Sequence, residues 1–169
     1  MVLDGALSDS QLYIQTQWRD RISTLPTFTQ NIMKKCIETK DFSSPIYQEI
    51  NDVLGRHFTC RTIPRPQVFQ DSINKMNSVI YAKMQGECEF MIGGVLKDWK
   101  ITDKLYLVEC PTLVLVGEFD TMTDECSMAI VNAIPKARPL VKIPRASHVK
   151  LLEEPVVCLQ HVTAFLKSI

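Results

Sequence analysis

Two short segments hold the residue types from which an acid–base pair can be built. Gly117-Glu118-Phe119-Asp120 ends a continuous β-branched and leucine run, Pro111-Thr112-Leu113-Val114-Leu115-Val116. Ala146-Ser147-His148 stands just past a second run, Arg138-Pro139-Leu140-Val141-Lys142-Ile143. In an open parallel sheet the carboxyl ends of the strands face the ligand crevice. An acid after one strand and a histidine after the next can therefore meet at hydrogen-bonding distance. Asp120 would then fix the tautomer of His148, and His148 would act as general base toward a hydroxyl nucleophile. Taken singly, an aspartate after a strand is commonly a turn former or helix cap, and a loop histidine a surface residue. The paired placement on successive strands is what points to chemistry. His57 and His161 fall inside predicted helices and are read as structural.

The nucleophile that would complete the set is not found in this sequence. A serine elbow needs G-x-S-x-G on a strand-to-helix turn, because the turn is too tight for side chains on either side. The glycines are 5, 55, 86, 93, 94 and 117, and no two of them bracket a serine at that spacing. An HGGG-type oxyanion loop is absent as well. Ser8 follows a short apolar run but lacks the glycine frame, and none of the cysteines sits on an elbow.

The elements that must position Asp120 and His148 follow from apolar periodicity. Met1-Val2-Leu3, running into Asp4-Gly5, reads as a short buried strand and a turn. From about 9 to 100 the pattern is helical. Leu12, Ile14, Trp18, Ile22 and Leu25 form one stripe that stops at Pro26; a second helix spans about 29–37. Ser44-Pro45 reads as an N-cap followed by proline at the first helical position, opening a helix to about Phe58. Val68, Phe69, Ile73, Met76, Ile80 and Met84 predict one helix over 67–84, stopped at Gly86. After residue 101 the pattern changes to strand, helix (about 124–134), strand, helix (from Pro155), which predicts parallel pairing. The expected organisation is α/β: residues 1–8 a first strand of the core, 9–100 a helical insert, and 101–169 the core segment carrying both loops.

Composition narrows the function classes. Hydrophobic residues are 46% and charged residues 22% of 169, so a sizeable core can form and extensive disorder is not expected. Nineteen basic and nineteen acidic residues balance, which gives no electrostatic footprint for nucleic acid or for a membrane surface. No apolar run approaches the ~20 residues of a membrane span. The first residues lack the basic and apolar regions of a signal peptide. The six cysteines are widely spaced, without C-x-x-C, and are read as reduced, mostly buried thiols of a cytoplasmic protein. No metal site is expected, since no Cys or His residues come at ligand spacing.

Val2-Leu3-Asp4-Gly5-Ala6-Leu7-Ser8, Ser44-Pro45-Ile46-Tyr47-Gln48-Glu49, Gly86-Glu87-Cys88-Glu89-Phe90, Leu96-Lys97-Asp98-Trp99 and the two loops around Asp120 and His148 together carry a family pattern. On these segments, over almost its whole length, the sequence resembles the proline iminopeptidases, a group of α/β-hydrolases. The segment 2–8 is similar to the family's strand after the nucleophile helix. Ser44-Pro45-Ile46-Tyr47-Gln48-Glu49 resembles a cap helix. Gly86-Glu87-Cys88-Glu89-Phe90 and Leu96-Lys97-Asp98-Trp99 resemble the end of the cap. Pro111-Thr112 through Asp120, and Ser147-His148, resemble the acid strand and histidine loop, a pattern shared by many α/β-hydrolases. The resemblance implies a partial α/β-hydrolase fold, its C-terminal strands and helices with a helical cap insert. It implies Asp120 and His148 as triad members, and the cap glutamates Glu89 and Glu49 as ligands of a substrate's free α-amino group.

The expected function is thus that of a fragment of a serine aminopeptidase, removing N-terminal residues, proline preferred, from peptides when complete, without metal or organic cofactor. Lacking the elbow, this chain is expected to be inactive alone. The alternatives are a non-catalytic peptide-binding or regulatory module of the same fold, or part of another α/β-hydrolase such as an esterase or epoxide hydrolase. A sheet edge left uncovered would favour association with another chain.

Overall fold

The computed structural model describes residues 1–169 throughout. Three parallel strands form one sheet in the order β1 (Val2–Asp4), β2 (Leu113–Gly117), β3 (Val141–Ile143). All five residues of β2 are buried, as a continuous apolar run between two edge strands requires. Alternation along β2 assigns its faces. Leu113 and Leu115 pack with Ile143, Ala146, Cys158 and Phe165, whereas Val114 packs with Ile130 and Ile134. The first set joins the sheet to α8 (Pro155–Lys167), the second to α6 (Asp124–Ala133), one helix on each face. Each strand side chain removed from water in this way contributes about 1.5–3 kcal/mol.

Between β1 and β2 in the chain lies the helical region. It holds α1 (Ser10–Thr16), α2 (Thr27–Thr39), α3 (Pro45–Phe58), α4 (Gln67–Lys75) and α5 (Ser78–Met84). Its core is Met33 and Cys36 of α2 against Tyr47, Ile50, Leu54 and Phe58 of α3, closed by Ile22, Cys88 and Phe90. The spacing 47, 50, 54, 58 is one stripe of a 3.6-residue period.

Local sequence explains most boundaries, and three differ from expectation. The first stripe continues past α1 as a π-turn, Gln17–Arg21, and a 3₁₀ turn, Ile22–Thr24, before Pro26 ends it. This re-aims Gln17 and Arg21 toward the acid loop. Pro45 does occupy the first turn of α3, but the Ser44 hydroxyl makes no capping bond. The helix expected over 67–84 is two: Met76 takes an extended conformation and Asn77 caps α5 through its side chain on Ile80 N. An apolar stripe does not register such a break, since α4 and α5 bury no residue fully and so carry little packing to enforce continuity. Five of the six cysteines are buried. No helix is long and apolar enough to cross a membrane.

Candidate functional site

β2 ends at Gly117, and the chain turns through Glu118-Phe119 to present Asp120, which is fully buried. β3 ends at Ile143, and Ala146-Ser147-His148 follows. Gly117 lies where the two loops cross. A Cβ there would stand 2.3 Å from the Ser147 carbonyl oxygen, so only glycine permits the approach. His148 Nδ1 and Asp120 Oδ1 are 2.8 Å apart. The sequence-expected pair is thus brought together.

The surroundings make Asp120 an obligate anion. Its Oδ1 also accepts from Met122 N at 2.9 Å, and its Oδ2 accepts from Gly117 N at 3.1 Å and from Lys150 Nζ at 2.8 Å. Burial by itself raises a carboxyl pKa; here the hydrogen bond and charge of His148, followed by those of Lys150, outweigh it and hold Asp120 well below the carboxylate range. For His148, burial pushes the imidazole pKa down, and the Asp120 hydrogen bond and charge more than reverse this, leaving it above its ordinary value. With Nδ1 held by a carboxylate, the neutral ring carries its proton on Nδ1 and its lone pair on Nε2. That is the tautomer a general base needs.

Other contacts lock the loops. Glu153, on α7 (Lys150–Glu153), accepts from Ser147 N at 2.5 Å, from the Ser147 hydroxyl at 2.8 Å, and from Arg61 N at 2.5 Å. His148 N and Val149 N donate to the carbonyls of Phe58 and Thr59, both at 3.1 Å, fastening the histidine loop to the end of α3. On the acid side, Gln17 Nε2 donates to Thr121 O at 2.8 Å and Arg21 Nε to Asp120 O at 2.9 Å. The cap is therefore tied to both loops.

His148 and Glu89 line one cavity of about 310 Å³. Its remaining wall is mostly apolar: Leu7, Phe69, Ile73, Met76 and Met122 among others, with the hydroxyl-bearing rings of Tyr13 and Tyr81. Glu89 accepts a hydrogen bond from the Tyr81 hydroxyl, and its backbone carbonyl accepts from Tyr13 at 3.1 Å. The carboxylate is half-buried, oriented by the Tyr81 hydroxyl, and lines the same cavity as the histidine.

Glu49, expected beside Glu89, is placed elsewhere. Tyr47, Ile50 and Leu54 set the buried stripe of α3, so residue 49 falls on the opposite, exposed face. There it lines a surface groove with Leu25, Pro26, Phe28, Ile32 and Ile46, and does not line the His148 cavity. Ser8 is tied to Thr102, hydroxyl to hydroxyl at 2.8 Å. His57 and His161 are exposed on helices α3 and α8. Lys150 escaped sequence reasoning. A lysine two residues after a histidine carries no motif, and its burial arises only when β1, β2 and α7 meet.

Parallel strands that deliver an acid and then a histidine to one crevice, beneath a helical cap, place this chain among the α/β-hydrolases. No family model matches the chain. It is 31% identical over 155 residues to a proline iminopeptidase of Thermoplasma volcanium, an alignment covering 91% of this chain and 52% of that protein. The crystal structure of a Mycobacterium smegmatis proline iminopeptidase superposes with a TM-score of 0.87 at 29% identity, over 99% of this chain and 56% of the other. The crystal structure of VinJ superposes with a TM-score of 0.92 at 26% identity over the same shares. The chain belongs to the proline iminopeptidase family, and it spans about half the length of the curated relatives it matches.

Proposed function

We propose that this chain supplies the acid, the histidine and the substrate-facing cap of a serine aminopeptidase that acts on peptides with a free N-terminus, proline preferred. The observation that carries the reading is the shared cavity: an oriented carboxylate, Glu89, lines the same cavity as the Asp120-held His148. A peptide's terminal ammonium pairs with Glu89. The first side chain enters the apolar part of the cavity, which suits a pyrrolidine ring and other compact apolar groups. His148 Nε2 takes the proton of the attacking serine and returns it to the leaving amine, while Asp120 stabilises the imidazolium between the two steps. No metal or organic cofactor enters this chemistry. A cytosolic setting, where thiols stay reduced, suits six cysteines of which five are buried.

Because G-x-S-x-G does not occur in these 169 residues, the chain by itself binds such peptides without turning them over. In the best-studied triad, losing the serine costs roughly 10⁶ in kcat. Binding is therefore the test. Calorimetric titration of the chain with prolinamide and with N-acetylprolinamide should show binding of the free amine only. A charge-assisted pair of this kind is worth about 1.5–3 kcal/mol, so Glu89→Gln should weaken prolinamide about 10- to 100-fold. Glu49→Gln should leave it unchanged. Equal affinity for the acetylated ligand, or indifference to Glu89→Gln, refutes the assignment. Turnover of a proline arylamide that disappears with His148→Gln would refute the statement that the chain alone is inactive.

A further inference from the structure

Lys150 is a fully buried cation that the acid–base chemistry above does not use. All three of its ammonium hydrogens have acceptors: Asp4 Oδ1 at 2.7 Å, Asp120 Oδ2 at 2.8 Å and the His148 carbonyl at 3.1 Å. Taking an ammonium out of water costs several kcal/mol, and an apolar side chain of similar volume would fill the same space without that cost. The cation therefore does something an apolar residue would not. It sits on the carboxylate oxygen of Asp120 that His148 does not hold, and its other carboxylate partner comes from a different strand.

We propose that Lys150 is a positioning residue for the Asp120–His148 dyad, with Asp4 as its counter-charge. This rests on the reading of Asp120 and His148 as the acid and base of a hydrolase. Lys150 acts in two ways. By anchoring Oδ2 it fixes the rotation of the carboxylate, so that Oδ1 points at His148 Nδ1. By its charge it shares Asp120 with the imidazole and limits how strongly that carboxylate holds a proton on the ring. Asp4, at the end of β1, moderates the second effect and links the edge strand to the dyad.

Charge counting makes the arrangement testable. With the imidazole neutral, Asp4, Asp120 and Lys150 together carry one negative charge; with the imidazolium, the four groups sum to zero. Removing the lysine takes away the positive charge beside Asp120, leaves the Asp4 and Asp120 carboxylates uncompensated and favours the imidazolium. Removing the Asp4 charge does the opposite. The remaining groups that face His148 are Glu89 from the cap, which favours the imidazolium, and the hydroxyls of Tyr13 and Tyr81 across the cavity. Arg21 acts on the far side of Asp120, through its backbone carbonyl. The backbone of Gly5 lies against the ring: a Cβ there would be 2.8 Å from His148 Cε1.

The experiment is an NMR titration of the histidine ring signals in the chain, with His57→Gln and His161→Gln, both exposed, used for assignment. Asp4→Asn should lower the His148 pKa by about half a unit. Lys150→Met should raise it by about 0.5–1 unit, the size expected for one charge a few ångströms away in a partly screened site. The Asp4→Asn/Lys150→Met double variant should fall between the two. If Lys150→Met does not fold, Asp4→Asn and the charge-balanced double variant still decide the matter. A merely structural lysine predicts no opposed shifts. Folded variants whose His148 titration stays within about 0.2 unit of the parent overturn the proposal. The titration involves no peptide. Lost prolinamide selectivity with intact opposed shifts would refute the aminopeptidase reading alone, and flat titrations with intact selectivity would refute the role of Lys150 alone.

Discussion

Replacing Asp120 with asparagine isolates the charge at the centre of the site while keeping its shape. The carboxylate accepts four good hydrogen bonds: His148 Nδ1 at 2.8 Å and Met122 N at 2.9 Å on Oδ1, and Lys150 Nζ at 2.8 Å and Gly117 N at 3.1 Å on Oδ2. An amide offers one oxygen. Whichever way the substituted side chain is turned, its NH₂ faces two donors, so two of the four bonds are lost. Each bond to a charged group is worth about 1.5–3 kcal/mol. The lost pair also leaves Lys150 buried with Asp4 as its one carboxylate partner, and breaking a buried ion pair from one side costs about 3–5 kcal/mol. These are two views of the same loss, not additive terms. Asp120→Asn should therefore lower the unfolding free energy at neutral pH by about 3–5 kcal/mol, and the melting temperature by about 6–20 °C for a chain of this length.

The gap between parent and variant should depend on pH in a defined way. Asp120 has its folded pKa below the ordinary 3.8, so its contribution is present above that value and is lost as pH falls through the folded pKa. His148 has its folded pKa raised above 6.5, so the part that Asp120 contributes through the imidazolium is present below 6.5 and lost as pH rises through the folded pKa. The gap is expected to be widest between these two ordinary values. Urea unfolding followed by circular dichroism at pH 3, 5.5 and 9 measures it. A loss below about 1 kcal/mol at pH 5.5, or a gap that does not vary with pH, would refute the claim that a buried anion organises this site.

Two further substitutions probe the loops themselves. Gly5 has φ +55°, and a Cβ on it would meet His148 Cε1 at 2.8 Å and Nδ1 at 2.9 Å. Gly5→Ala should cost about 1–3 kcal/mol and return the His148 pKa toward its ordinary value, whereas Gly93→Ala, with open space at its Cβ, should be neutral; thermal melts and the same NMR titration report both. Glu153→Gln exchanges an anion that accepts from Ser147 N, the Ser147 hydroxyl and Arg61 N for an amide that must turn its NH₂ toward one of them. It should cost about 1–3 kcal/mol and speed amide exchange at His148 and Val149, read by hydrogen-exchange NMR.

Much of the arrangement was already determined by the order of residues along the chain. The apolar run 113–117 had to be a strand buried on both faces, because no polar residue interrupts it and Gly117 ends it. Asp120 and His148 followed from that, since acids and bases placed after successive parallel strands share one crevice. The stripe 47, 50, 54, 58 likewise specified the buried face of α3, and read strictly it already put Glu49 on the other side. Resemblance to a family motif placed both glutamates in one role; helix geometry separated them. Only the tertiary structure could decide what surrounds the acid. Lys150 meets Asp120 and Asp4 because β1 pairs with β2 and the turn after β3 packs against both, contacts spanning 30 residues and more in sequence. Glu89 reaches the His148 cavity because its neighbours Cys88 and Phe90 pack in one core with Phe58, whose carbonyl, like that of Thr59, accepts a bond from the histidine loop. Local periodicity reports which face of an element is apolar. Which charged groups end up facing one another depends on how elements distant in the chain stack, and that is set by the packing of the whole core.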